Sequence, residues 1–454
     1  MDFKTPYRFK GRTGIQIFPD RFYREGAPPE PIPGRILKDW DDPVPNWEPD
    51  SNGVYQNNYF YGGNLKGITV KLDYLKDMGF NLIYLNPLGK SETSHHYEPT
   101  DQLEIDPWLG TWDDFKELCR EAHKRDILIV VDLVFNHMGV QSQIFQAAVD
   151  PNSIYHDWFE WDEHGEPVFW GGFTNMPQTN KFNPDFQDYV CKVSVHYIKM
   201  GADGIRNDLG ENFPSVLLRK QREAVKSIEP EALIVNEMWG FDNHREFPQI
   251  DGTQVDSVMN YPLADAIIRW VRYGNDAHFR YNIGEILKYP KEAQDVLWNH
   301  IDTHDTPRAG TMLVANGILE DPYQGAAWDI EGPWRHGKWF DTYGFRYWEL
   351  EHEDIDMDEV FAKLCLASTN QYIMVGIPIV YAGTEVGVIG YKDPFNRKPY
   401  PWKNINERIR KHYRNLGKMR ELNRELFADS GELSMSCFYN NMEITRQNER
   451  GRLT

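Results

Sequence analysis

Four short apolar runs in this sequence end on groups able to move protons or to attack carbon. The run ILIVVDLVFNH, Ile127 to His137, carries Asp132 and closes on Asn136 and His137; GIRND closes on Arg206, Asn207 and Asp208. ALIVNE closes on Asn236 and Glu237, and HIDTHD on His304 and Asp305. In a strand, residues i and i+2 share a face, so Arg206 and Asp208 point the same way and the guanidinium can keep that carboxylate ionised and oriented. Glu237 is followed by Met238 and Trp239, whose apolar surfaces predict a carboxyl that holds its proton longer. One ionised carboxylate and one protonated carboxyl, about 5–5.5 Å apart, can displace a leaving group at an acetal carbon with retention: the first attacks, the second protonates the departing oxygen. Each carboxylate alone is more often a solvated or salt-bridged residue. Their shared position at strand ends is what raises the catalytic reading.

Such groups converge only if their strands lie side by side. The strand candidates are Gly14–Phe18 (GIQIF), NLIYLNP, ILIVVDLVFNH, GIRND, ALIVNE, DSVMNY, HIDTHD and IPIVYAG. They are joined mostly by helical patterns such as GITVKLDYLKDMGF (Gly67 to Phe80) and DDFKELCREAHKRD. The 29 residues from Asp208 to Glu237 fit one strand–helix unit, and the 68 from Glu237 to Asp305 fit two. The expected fold class is α/β, a closed (β/α)8 TIM barrel with catalytic residues at the C-terminal strand ends.

The 454 residues exceed the roughly 250 of one barrel. Residues 1–137 read as the first part of the barrel and 138–187, rich in Trp, Phe, Asn, Pro and Gly, as a small inserted domain after strand three. Residues 188–424 read as the remainder of the barrel, with an aromatic-rich insertion at 309–356 that includes Trp328, Trp334, Trp339 and Trp348. That insertion is expected to wall the acceptor side of the cleft or to pack on itself as a cap. Residues 425–454, with the runs LSMSCFY and NMEITRQ, read as a short or truncated C-terminal β appendage, too small for a sandwich core.

Composition excludes some partners. The net charge of −20 argues against nucleic acid and anionic lipid, and favours a neutral substrate. Aromatics make up 14%, and their flat faces suit sugar rings as well as cores. Cys119, Cys191, Cys365 and Cys437 form no C-x-x-C pair and read as free thiols of a reducing compartment. No apolar N-terminal h-region or membrane-length window is present, so a cytoplasmic protein without a membrane partner is expected.

DLVFNH, GIRND, NE before an aromatic, and HD, in that order, resemble the signature regions of the α-amylase superfamily. GIQIFPDRF, FYGGNLKGI, IDPWLGTWDDFKEL, MPQTNKFNP, GIPIVYAGTE and DPFNR resemble further family segments, so the likeness runs from about Gly14 to Trp402. It implies Asp208 as nucleophile, Glu237 as general acid/base and Asp305 as the third carboxylate, binding sugar hydroxyls in the distorted ring. It implies His95 and Tyr97 as the family's His-x-Tyr pair, with Tyr97 stacking under the reacting sugar. His137, Arg206, His304, Asp393 and Arg397 match further sugar-binding positions. The implied function is retaining hydrolysis of α-1,4-glucosidic bonds in malto-oligosaccharides, starch fragments or cyclodextrins. The alternatives are transglycosylation or isomerisation of α-glucosides, or a non-catalytic carbohydrate-binding protein. No cofactor is required for that chemistry. Asn136 matches a position that ligates calcium in many members, with a loop-anchoring amide as the equal alternative.

YHDWF and the MPxxN motif are most similar to the neopullulanase and cyclomaltodextrinase branch; that branch usually carries an extra N-terminal domain, which this chain, starting directly at the barrel, is expected to lack. Oligomeric state is left open. Asn207 stands at a normally apolar site, Glu98 replaces the usual Asp, and Glu211 and Asn212 replace residues that line the acceptor side.

Overall fold

Alternation along the strands divides this protein's interior into two cores. In the computed structural model, which describes residues 3–42, 57–239, 249–274, 276–315, 355–391, 393–429, 431–438 and 441–454, Leu82, Tyr84, Leu128, Val130, Leu233, Val235 and Trp298 pack together in one cluster. Their strand neighbours Ile83, Leu85, Ile129, Val131 and Ile234 pack into another with the helices. A period of two puts the first set inside a closed sheet and the second beneath the surrounding helices.

The sheet comprises β1 (Gly14–Ile17), β2 (Leu82–Leu85), β3 (Leu128–Leu133), β4 (Gly204–Asn207), β5 (Leu233–Asn236), β6 (Ser257–Val258), β7 (Trp298–Asn299) and β8 (Ile377–Tyr381). Its order is β6-β5-β4-β3-β2-β1-β8-β7, and every pairing is parallel. A parallel bridge between Met259 and Trp298 joins the two ends and closes the barrel. The TIM barrel expected from the sequence is therefore present. Its helices include α1 (Trp112–His123), α2 (Pro184–Lys199), α3 (Ser215–Ile228), α4 (Tyr261–Tyr273), α5 (Met357–Ile373) and α6 (Glu407–Leu422).

Three details differ from expectation. The seventh ladder lies at Trp298–Asn299 rather than within HIDTHD. Beyond it, the Thr303 and Ala309 N–H groups donate to Thr306 Oγ1 and Asp302 Oδ2, so side chains take donors a ladder would use. Helix α2 starts at Pro184, four residues before the expected boundary at 188, because Asn183 accepts from the Asp185 and Phe186 N–H groups and Pro184 takes the first helical position. Past the barrel, a third strand, Gly451–Leu453, joins Glu432–Phe438 and Asn441–Asn448 in an antiparallel sheet. Buried Arg446 fastens that sheet to the barrel by donating to the Leu426, Phe427 and Met374 carbonyls.

Between β3 and α2 the chain forms a short helix, Gln143–Ala148, and isolated bridges such as Phe159–Thr179 and Phe169–Pro177. Of the aromatic-rich segment expected at 309–356, residues 316–354 lie outside the described residues. Among the described residues no helix is long and apolar enough to cross a membrane.

Candidate active site

The β3–β4 register sets Asp132 directly opposite Arg206. With Arg206 facing the barrel interior, its Nη1 lies 2.7 and 2.8 Å from the two Asp132 oxygens and 3.0 Å from Asp208 Oδ1. Its Nη2 lies 2.9 Å from Glu237 Oε2 at the end of β5. One guanidinium thus ties three strand ends together. The Tyr84 and Tyr97 hydroxyls donate to Asp132 Oδ2 at 2.5 and 2.7 Å, and Asn86 Nδ2 donates to the Tyr97 hydroxyl at 2.7 Å.

Tyr97 links this wall to the opposite one. Its ring lies parallel to that of His304, with centroids 4.9 Å apart. Gln16 Nε2 donates to His304 Nδ1 at 2.8 Å, which leaves His304 Nε2–H to face Asp305 Oδ2 at 3.2 Å. Arg397 reaches Asp305 Oδ1 at 3.3 Å and Asp393 Oδ2 at 3.1 Å, and its Nε donates to the His304 carbonyl. His137 Nε2–H donates to the Tyr97 carbonyl at 2.6 Å, and His95 Nδ1 accepts the Tyr97 N–H at 3.0 Å. The structure therefore brings every site residue singled out from the sequence into one connected set. Glu98, flagged there as a departure, anchors the His95 loop by accepting from Ser91 Oγ and the Thr93 N–H.

Electrostatics follow from burial. Contrary to the expectation that Arg206 keeps Asp208 ionised, loss of solvation pushes that carboxyl well above its ordinary value; Glu237, Asp132 and Asp305 add repulsion, and Arg206 opposes both. Asp132 is raised by the same burial, again opposed by Arg206. Burial alone would lower the Arg206 guanidinium, yet Asp132 and Glu237 hold it protonated. Carboxylates this close repel one another, and the shared Arg206 guanidinium offsets that repulsion. Burial pushes His137 down to about 4 and His304 well below its ordinary value. At neutral pH both imidazoles are uncharged hydrogen-bonding groups.

Glu237 has different neighbours from those expected. Met238 turns into the core, while Trp239 Nε1 donates to Glu237 Oε1 at 3.0 Å and the Leu209 N–H to Oε2 at 2.8 Å. The Trp239 ring stacks on Tyr261 at 3.9 Å. Its apolar face is spent on the tyrosine and its polar edge on the carboxylate. Asp132 stood in the strand-three run, but only the register reveals it as the partner of Arg206. Tyr84, Asn86 and Gln16 give no signal in sequence beyond inward parity, and Tyr261, at the start of α4, gives none.

Asn136, the position matched to calcium ligation in the family, has its side-chain oxygen facing the Asn212 amide nitrogen at 3.5 Å. Beside Glu237, whose carbonyl accepts the Glu211 N–H, Phe182, Glu211, Asn212, Phe213, Pro214, Ser215 and Gln249 line a recess of about 430 Å³.

Residues 16–324 match the family model described as "Alpha amylase, catalytic domain". The chain is 32% identical to a cyclomaltodextrinase of Thermoanaerobacter pseudethanolicus, over 90% of its own length and 64% of the relative's. It is 31% identical to neopullulanase 2 of Thermoactinomyces vulgaris, over 92% and 64%. It thus spans 64% of the length of these two curated relatives. Its structure is similar to that of the type III pullulan hydrolase from Thermococcus kodakarensis, with TM-score 0.78, 26% identity, and coverage of 99% of this chain and 76% of the other.

Proposed function

The chain belongs to the α-amylase family, and from that premise we propose that it is a glycoside hydrolase that cleaves α-1,4-glucosidic bonds in malto-oligosaccharides, starch fragments or cyclodextrins through a covalent glycosyl-enzyme intermediate. The observation that carries the reading is the single buried guanidinium of Arg206, in contact with both Asp208 and Glu237. It holds two carboxyl groups at one barrel mouth, where one can attack and the other can transfer a proton. The similarity to a cyclomaltodextrinase and a neopullulanase supports the substrate class.

In the first step an Asp208 oxygen bonds to the anomeric carbon as the glycosidic C–O bond breaks, and Glu237 gives its proton to the departing oxygen. In the second, Glu237 takes a proton from water, the water oxygen bonds to the anomeric carbon, and the ester to Asp208 breaks. Two inversions leave the α configuration. Asp305, paired with Arg397 and His304, binds hydroxyls of the distorted ring; Tyr97, His95, His137 and Asp393 complete the subsite. No metal takes part in either step. A reducing, cytoplasmic setting belongs to the same proposal and is supported by the free thiols of Cys119, Cys191 and Cys365.

Proton NMR of the anomeric region during action on a linear malto-oligosaccharide tests this reading. New α-anomers are expected first, and Asp208→Asn should lose activity on the order of 10⁴-fold. Early β-anomers would overturn the double displacement, and no turnover would overturn the substrate class.

A further inference from the structure

Beneath the two reactive carboxylates, on the outward face of the barrel, lies a closed circuit of buried amides. Asn207 Nδ2 donates to Gln221 Oε1 at 2.9 Å and to Asn236 Oδ1 at 2.8 Å, while Gln221 Nε2 donates back to Asn207 Oδ1 at 2.9 Å. The second Gln221 N–H goes to Ser194 Oγ on α2 at 3.0 Å. Asn236 Nδ2 donates to Gln249 Oε1 at 2.6 Å and to the Gly210 carbonyl at 3.2 Å. Asn207, Gln221, Ser194 and Asn236 are fully enclosed. Each amide N–H of Asn207, Gln221 and Asn236 has its own acceptor.

The circuit's members sit next to the chemistry. Asn207 precedes Asp208, Asn236 precedes Glu237, and the β4–β5 register sets the two asparagines opposite each other. Gly210, whose carbonyl the circuit holds, lies in the loop that leaves Asp208. In that loop Leu209 adopts φ +48°, costly for a residue with a side chain, and its N–H reaches Glu237 Oε2. The Glu211 N–H reaches the Glu237 carbonyl at 3.1 Å. A Cβ added at Gly210 would meet the Asn236 side chain at 2.5 Å, so loop and circuit are in direct contact. An apolar residue at position 207 would fill the space between β4 and α3 equally well. It could not lock two strand ends in one register, because dispersion has no direction and an amide pair does.

We propose that Asn207, with Gln221 and Asn236, is a positioning group: the circuit fixes the separation of Asp208 from Glu237 and holds the Leu209 N–H on Glu237. This rests on the proposed function, in which those two carboxylates react. The circuit touches no substrate. It acts only through the residues that do.

Two variants separate positioning from stability. Asn207→Leu strands both a donor and an acceptor of Gln221, so it lowers Tm and kcat together. Asn207→Leu/Gln221→Leu removes the orphaned Gln221 pair but leaves Asn236 Oδ1 without its Asn207 donor, so part of the lost Tm returns. On a chromogenic aryl α-maltoside, kcat of the double variant is expected to stay about tenfold down, with KM within about twofold. The limbs of its kcat–pH profile should move by about half a pH unit, because the Leu209 donor no longer rests on Glu237. A double variant with the wild-type kcat and pH profile would overturn the inference. If the wild-type protein does not turn the substrate over, the substrate reading fails separately, and hydrogen–deuterium exchange decides this one. Faster exchange confined to 208–212 and 236–239 in the double variant supports it, and unchanged exchange there overturns it.

Discussion

The two walls of the site are built in different ways. Asp132, Arg206, Asp208 and Glu237 stand on or directly after adjacent strands β3 to β5, and the Asp132 and Glu237 side chains are 0% and 3% exposed. Asp305 and Asp393 stand in the loops after β7 and β8, with side chains 27% and 33% exposed. The strand wall is dry, so small changes in charge there have large consequences. The loop wall is wet, and its ion pairs are screened and adjustable. Under the proposed function, proton transfer uses the first environment, while gripping hydroxyl groups of a mobile sugar is compatible with the second.

That contrast can be broken at its strongest point. Arg206→Met leaves Asp132, Asp208 and Glu237 without their shared counter-charge, and a loss of about 3–5 kcal/mol is expected in chemical denaturation. A loss below about 1 kcal/mol would mean that water reaches the strand wall after all. His137, which donates to the carbonyl of Tyr97 between the walls, gives a smaller effect. Burial holds His137 at about 4 against the ordinary 6.5, so between those values the unfolded chain binds more protons than the folded one. Its stabilising contribution is intact above pH 6.5 and falls by up to about 3 kcal/mol as pH drops to 4. His137→Gln should flatten the plot of unfolding free energy against pH in that window, and an unchanged slope would show that other groups set it. The smallest effect belongs to the loop wall. Asp393→Asn should change stability by less than about 1 kcal/mol and raise KM a few-fold with kcat nearly kept. A large fall in kcat would erase the distinction between the walls.

The same contrast explains what the sequence reveals. The strand wall was legible because a polar residue closing an apolar run stands out, and Arg206 and Asp208 share a face by parity alone. The loop-wall residues Asp393 and Arg397 had no period to expose them and emerged only through family resemblance. Register was beyond reach: that Asp132 faces Arg206, or Asn207 faces Asn236, depends on which residues pair across strands. Asn207 read simply as a departure from the apolar pattern, since its partner Gln221 sits on a helix where a glutamine usually faces water. The third strand of the terminal sheet, Gly451–Leu453, is too short for alternation to register. The contacts of Glu237 lie beyond the sequence for a related reason. Sequence shows that a tryptophan follows, but not which edge of the indole it turns toward the carboxylate.

Three buried carboxylates around one guanidinium leave the barrel mouth with an excess of negative charge that folding alone would not select. Neutralising one of these carboxylates while Arg206 is kept offers the resting protein relief from self-repulsion. Under the proposed mechanism, a substrate whose ring carbon becomes cationic offers the same relief, but only for the lifetime of the transition state. The site behaves as a socket held open for a charge that has not yet arrived. Selection for a sturdier protein and selection for a faster one therefore pull in opposite directions at these positions.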